Sequence, residues 1–154
     1  MKIRKADKSD AEAISDLIIP LTEKYILPTW GEEAHDLLLG SMAQGQIEQY
    51  LSDGYVYHVA ENASVGIVGV VGIRDNSHLY HLFVRDGFNG QGLSRQLWEK
   101  GKSDCLLKGN KGEFTVNSAL NAEDVYLKFG FERIDGIRER NGMVDIPMKL
   151  HCTG

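Results

Sequence analysis

A histidine, a tyrosine and a glycine-bearing turn are the residues here whose types and spacing invite chemistry. His78 opens the run His78-Leu79-Tyr80-His81-Leu82-Phe83-Val84, rich in aromatic and branched residues, which reads as a strand. An imidazole with a pKa of about 6.5 accepts protons near neutrality. Tyr126 falls in an expected helix over 121–129, and its phenol stays protonated at neutral pH and can donate. Between the two, Asn89-Gly90-Gln91-Gly92-Leu93-Ser94-Arg95 follows the strand and opens an amphipathic segment. Leu93, Leu97, Gly101 and Cys105 share one side of that segment, with Leu106 and Leu107 extending the stripe. Free N–H groups and the dipole at such a helix start favour an anion. Gly90 and Gly92 remove the Cβ atoms that would hold the anion away. The expected ligand is a phosphate, and a diphosphate in particular.

Three phosphate-binding devices compete for this stretch. A dinucleotide fingerprint requires a glycine where the chain has Arg95. Gly101-Lys102-Ser103 imitates the end of a P-loop, but the earlier glycine falls at Gln96. The third device is the acyl-CoA turn of the GNAT N-acetyltransferase superfamily, Q/R-x-x-G-x-G/A after a strand ending in Val. Val84 followed by Asn89-x-x-Gly92-x-Ser94 resembles it, with Asn89 and Ser94 departing from the pattern. A second segment makes the resemblance specific. Val116-Asn117-Ser118 through Ala122, Tyr126, Lys128, Gly130 and Phe131 is similar to the GNAT pattern V-N-S-x-x-x-A-x-x-x-Y-x-K-x-G-F.

The resemblance implies an α/β (α+β) GNAT fold, a mixed, mostly antiparallel sheet of about seven strands with helices on both faces. It implies that the strands ending at Val84 and near Asn117 splay apart, so that the pantetheine arm of acetyl-CoA pairs with the backbone of Leu82, Phe83 and Val84. The amides of Gly90, Gln91, Gly92, Leu93, Ser94 and Arg95 would hold the diphosphate, with Asn89 beside them, and Asn117 and Ser118 would meet the acyl-pantetheine end. Tyr126 holds the position of the GNAT general acid. For the base, one family position falls on Phe114 and fails, while another falls on His78 with Tyr80 two residues on. Strand parity puts His78 and Tyr80 on the face of Leu82 and turns His81 away, so His78 and His81 should not share a metal. Amine acetylation needs a neutral nitrogen, and a free amine is roughly 99.9% protonated at pH 7, a deficit of about 4 kcal/mol. Tyr25, Trp30, Glu32 and Glu33 would line the amine pocket.

The bounds agree. A chain of 154 residues suits a single domain, 1–154, with one sizeable core. A net charge of -5 argues against nucleic acid, no apolar run spans a bilayer, and no leader is visible. Cys105 and Cys152 indicate neither a disulfide framework nor a metal site. The expectation is a cytoplasmic acetyl-CoA-dependent enzyme with a small-molecule or peptide amine acceptor and no metal, compatible with a homodimer. A catalytically silent CoA-sensing module on the same fold, and a phosphate binder unrelated to CoA, stay open.

Local signals add detail. Ser9-x-x-Glu12 reads as a capping box for a helix that ends by Pro20 or shortly beyond. A second helix is expected from Glu32, burying Ala34, Leu37, Leu38, Met42 and Ile47. Strands follow at 55–61 and 65–73, then at 78–84 and 113–117. The chain closes on strands 131–139 and 143–150 about Asn141-Gly142, with Cys152 in a loose tail.

Overall fold

The computed structural model describes residues 1–152. Strands β1 (Lys2–Lys5), β2 (Val56–Asn62), β3 (Gly66–Arg74), β4 (His78–Val84), β5 (Glu113–Ser118), β6 (Glu132–Arg133), β7 (Arg138–Arg140) and β8 (Met143–His151) form one eight-stranded sheet among the described residues. Its order is β1-β2-β3-β4-β5-β8-β6, with β7 also paired to β8. Every pairing is antiparallel except β4 with β5. The helices are α1 (Ala11–Tyr25), α2 (His35–Gly40), α3 (Gln44–Ser52), α4 (Leu93–Leu107) and α5 (Glu123–Phe129). Among the described residues no helix is long and apolar enough to cross a membrane.

Strand alternation splits the core between the two faces of this sheet. Val59 and Val70 point to one face and pack with Ile14, Ile18, Ile47 and Tyr57 beneath α1 and α3. Ala60, Val68 and Val71 point to the other and pack with Leu97, Trp98, Phe114, Phe131 and Met148 beneath α4. Gly101 lets α4 approach β3 closely, since a Cβ there would lie 2.8 Å from Ile73 Cδ1. Leu93, Leu97, Gly101 and Cys105 are the buried stripe, as periodicity expects, but Leu107 is 86% exposed. The stripe is four residues apart, and Leu107 falls off its line.

Several boundaries differ from the sequence reading, each for a physical reason. Helix α1 continues five residues past Pro20. Pro20 sits on the exposed side, where water can satisfy the carbonyl left over, and Thr22 carries the buried stripe onward. The capping box lies two residues earlier than Ser9-x-x-Glu12, at Asp7-x-x-Asp10. Asp7 accepts from the Ser9 N–H and the Asp10 side chain accepts from the Asp7 N–H, each at 2.9 Å. Arg4 then clamps Asp10 at 2.8 and 2.9 Å, which holds that carboxylate below its usual pKa. The second helix is broken into a 3₁₀ turn, α2 and α3, because the chain turns at 41–43, and Leu37 is left 67% exposed. The last strand pair is likewise interrupted, with β6 and β7 replacing one run over 131–139. Cys152 is not loose: its N–H donates to the Gly112 carbonyl at 2.7 Å.

Candidate active site

Strands β4 and β5 run side by side only at His78↔Thr115 and Leu79↔Val116 among the described residues. Immediately after, the β3–β4 register slips: Ile73 faces Leu79 but Gly72 faces His81, so Tyr80 is the extra residue of a bulge. The bulge bends β4 away from β5 while β3 follows it to Val84. Arg85 N–H donates to Val68 O at 2.8 Å, so by alternation the Val84 N–H points to the opposite edge, into the splay. A cavity of about 500 Å³ fills that splay.

The bulge also overturns the parity expectation. Leu79 and Leu82 join the core beneath α4, whereas Tyr80 and Phe83 join the other. His78 and Leu82 therefore do not share a face, and His81 is not turned away, because both histidines line the cavity. His78 Nδ1 lies 2.7 Å from Thr115 Oγ1, so the strand pairing fixes its ring. Burial, with help from the Arg74 charge, lowers the His78 pKa to about 4, well below the expected 6.5. His81 is 5% exposed, lies 2.7 Å from the Tyr57 hydroxyl through Nδ1, and is lowered by burial to about 3.

At the far end of β4 the chain enters the glycine turn. Gly90 and Gly92 take φ of 77° and 75°, the left-handed region that glycine enters at least cost. Gly92 caps α4 without a side-chain bond, so the first N–H groups of the helix stay free to meet a ligand. A Cβ on either glycine would meet no protein atom within 4 Å; the space before those amides is open. That space is a second cavity of about 370 Å³, bounded by Phe88, Ser94, Arg95 and Lys128. Arg95 Nη2 donates to the Lys128 carbonyl at 2.9 Å and its guanidinium lies 5.1 Å from the centroid of the Phe129 ring, which holds a positive charge at the rim. Val84, Asn89 and Val125 line both cavities, so the two lie side by side. A diphosphate on the helix start with its attached chain running into the splay fits these residues.

Of the expected site residues, His78, Leu82, Phe83, Val84, Asn89, Asn117 and Tyr126 line the splay cavity. Gly90, Gly92, Leu93, Ser94 and Arg95 line the turn cavity, joined again by Val84 and Asn89. Gln91 and Ser118 line neither. Gln91 is exposed, and Ser118 is fully buried with its hydroxyl donating to the Ala119 carbonyl at 2.7 Å. Tyr126 is 7% exposed, stacked edge-on against Phe129 and Phe131, and burial raises its pKa further above the ordinary phenol value. Tyr25 and Trp30 line the cavity, while Glu32 and Glu33 do not. Sequence reasoning missed Arg74, Arg140 and Asp145 in its wall. Their only sequence signal was position at strand ends beside the splay. Among the described residues no group of three or more His, Cys, Asp or Glu is placed to hold a metal ion.

Two buried histidines, His58 and His81, and the half-buried His78 predict an acid-labile fold. His58, His78 and His81 all have pKa values lowered mainly by burial, so between about 6.5 and these values the unfolded chain binds more protons. Their neutral forms stabilise the fold fully above that window, and the contribution is lost as pH falls through it. For His81 alone the loss at pH 4.5 is about 2–3 kcal/mol. Thermal melts at pH 7.5 and 4.5 should show a steep drop that His81→Phe reduces; an equal drop in the variant counts against this assignment.

The acetyltransferase (GNAT) domain family matches residues 26–152, and the chain belongs to that family. Solved structures share the fold at low identity. A GCN5-related N-acetyltransferase from Rhodopseudomonas palustris superposes with a TM-score of 0.81 at 17% identity, covering 98% of this chain and 95% of that one. The PaiA N-acetyltransferase of Thermoplasma acidophilum in complex with coenzyme A gives 0.77 at 16%, covering 99% and 100%. An aminoglycoside 6'-N-acetyltransferase complexed with coenzyme A gives 0.69 at 14%, covering 99% and 97%. Among curated proteins no sequence match is found.

Proposed function

We propose that this protein transfers the acetyl group of acetyl-CoA to a primary amine by direct attack within a ternary complex. One observation carries the reading: the cavity opened by the β4–β5 splay adjoins the cradle at the start of α4, the two sharing Val84, Asn89 and Val125 in their walls. A carrier with an anionic head and a long arm matches that shape, whereas a compact nucleotide would leave the splay unfilled.

Bound acetyl-CoA supplies the activated acetyl group and a thiolate leaving group. The chain's own groups then have three tasks. The Val84 N–H, pointing into the splay, donates to the acyl oxygen as negative charge develops there. The Tyr126 hydroxyl, kept protonated by its burial, donates toward the sulfur. His78, held neutral and hydrogen-bonded to Thr115, accepts through water in the cavity the proton the nitrogen sheds as the C–N bond forms. With its pKa at about 4, His78 is too weak to deprotonate a free ammonium; its role begins only once bond formation has made that nitrogen acidic.

The pH dependence follows. kcat/KM should rise about tenfold per pH unit from 6 to 9, tracking the neutral amine, with no inflection near 6.5. His78→Ala should lower kcat about a hundredfold without weakening acetyl-CoA binding. An inflection near 6.5, or full activity in the variant, removes His78 from the mechanism. The overall reading is tested by following free CoA thiol release across an amine panel, alongside melting-temperature shifts with CoA, ATP and NAD. Shifts with CoA but no amine-dependent release would favour a silent CoA-binding module, and equal shifts with ATP and NAD would reject the acyl-carrier reading.

A further inference from the structure

Arginines gather at the acceptor end of the cavity although the chain as a whole is acidic. The net charge is -5, yet the mouth between the ends of β3, β7 and β8 is built on arginines. Arg74 and Arg140 line the cavity, and Arg138 donates to Oδ1 of the Asn117 side chain at 3.1 Å. The nearby carboxylates are already engaged. Asp145 receives Arg138 at 2.9 Å and Arg140 at 3.6 Å, and Asp86 receives Lys24 at 2.7 Å and the Tyr25 hydroxyl at 2.8 Å. Among the described residues Arg74 is paired only with its neighbour Asp75, at 3.0 Å, whose side chain is 74% exposed. Such a surface pair is weak and readily exchanged for a ligand. Trp30 adds a donor: its indole N–H is buried without a hydrogen-bond partner among the described residues, in the wall of the same cavity.

Position sets a length. Arg74 is the cross-strand partner of His78, at the start of β4, while the Val84 N–H lies at its end. From Val84 back to His78 is about 20 Å of strand, and Tyr80, Phe83 and Met143 line the wall between. We propose that the acceptor is a primary amine on an apolar or aromatic body that ends in a distal carboxylate, a short peptide with a free N-terminus being the fitting size, and that Arg74 and Arg140 bind that carboxylate. Planar guanidiniums suit this anion, and a polycationic amine is repelled by the same groups. The inference rests on the cavity being an acetyl-transfer chamber.

The test uses the full chain, acetyl-CoA and thiol release with four acceptors: leucyl-phenylalanyl-glycine as the free acid, its C-terminal amide, spermidine and kanamycin. The acid should exceed the amide about tenfold in kcat/KM, mainly through KM, the size of one charge-assisted hydrogen bond; both polycations should fall below the amide. Arg74→Gln with Arg140→Gln should bring the acid-to-amide ratio close to one by raising KM for the acid. Arg74→Glu should favour the amide, with melting temperature confirming that each variant is folded. Equal rates for acid and amide, a preference for spermidine or kanamycin, or no turnover of any acceptor overturns the assignment. Melting-temperature shifts with acetyl-CoA separate the two levels. Binding with turnover of a polycation overturns the acceptor class and leaves acetyl transfer standing; neither binding nor turnover strikes both.

Discussion

Replacing Gly92 with aspartate should raise the dissociation constant for acetyl-CoA at least a hundredfold. Gly92 sits at φ 75°, and the protein offers a new side chain no neighbour within 4 Å, so the substituent would occupy the open space before the first amides of α4. Aspartate and asparagine tolerate the left-handed region better than other non-glycine residues, so the variant should keep its fold at a cost of about 1–2 kcal/mol. What changes is the cradle. A carboxylate there competes for the free N–H groups and repels a diphosphate held by them, at a contact separation taken as about 4 Å. At an effective dielectric of 20 one such pair of like charges costs about 4 kcal/mol, a factor on the order of 10³ before salt screening. Gly92→Asn is the matched control: the same bulk without the charge should cost about tenfold. The measurement is a titration of acetyl-CoA against intrinsic fluorescence or by calorimetry. Wild-type affinity in the aspartate variant would show that the diphosphate does not bind here, and identical losses in the two variants would reduce the effect to bulk.

The devices that define this cradle were legible because they are local. The glycines of the turn, the four-residue stripe of α4 and the spaced pattern from Val116 to Phe131 each depend on residues close in sequence. The bulge at Tyr80 was not legible, since nothing in His78 to Val84 departs from an ordinary strand. It arises from the slip of β4 against β3 where β4 leaves β5, a relation between strands rather than a property of one. Its consequences were therefore misjudged as well: His81 was turned to the wrong face, and Leu82 was paired with the wrong neighbours. Pro20 misled for a different reason, because a proline stops a helix only where its lost bond cannot be replaced. The arginine mouth escaped notice since Arg74 and Arg140 lie far apart in sequence and meet only around the cavity. The His78 pKa escaped too, because desolvation and Arg74 act through burial that residue type does not reveal.

Tyr126→Phe separates binding from chemistry most cleanly. The ring lies between Phe129 and Phe131, with centroids 6.2 and 5.8 Å away, so phenylalanine keeps the packing and loses only the hydroxyl. Melting temperature and acetyl-CoA affinity should stay near wild type. Turnover should not, because the departing sulfur then lacks its donor, and removal of a placed general acid costs about 10²–10⁴ in rate. The raised pKa adds a second signature. Burial keeps the phenol protonated well beyond its ordinary range, so the wild-type enzyme should show no alkaline decline in kcat up to about pH 10. A tyrosine of ordinary pKa would give that decline. The two measurements bear on different links: the rate loss tests whether the hydroxyl acts on the sulfur, and the missing alkaline limb tests whether burial tunes it. Equal turnover in wild type and Tyr126→Phe would exclude Tyr126 from proton transfer and return the helix α5 tyrosine to a packing role.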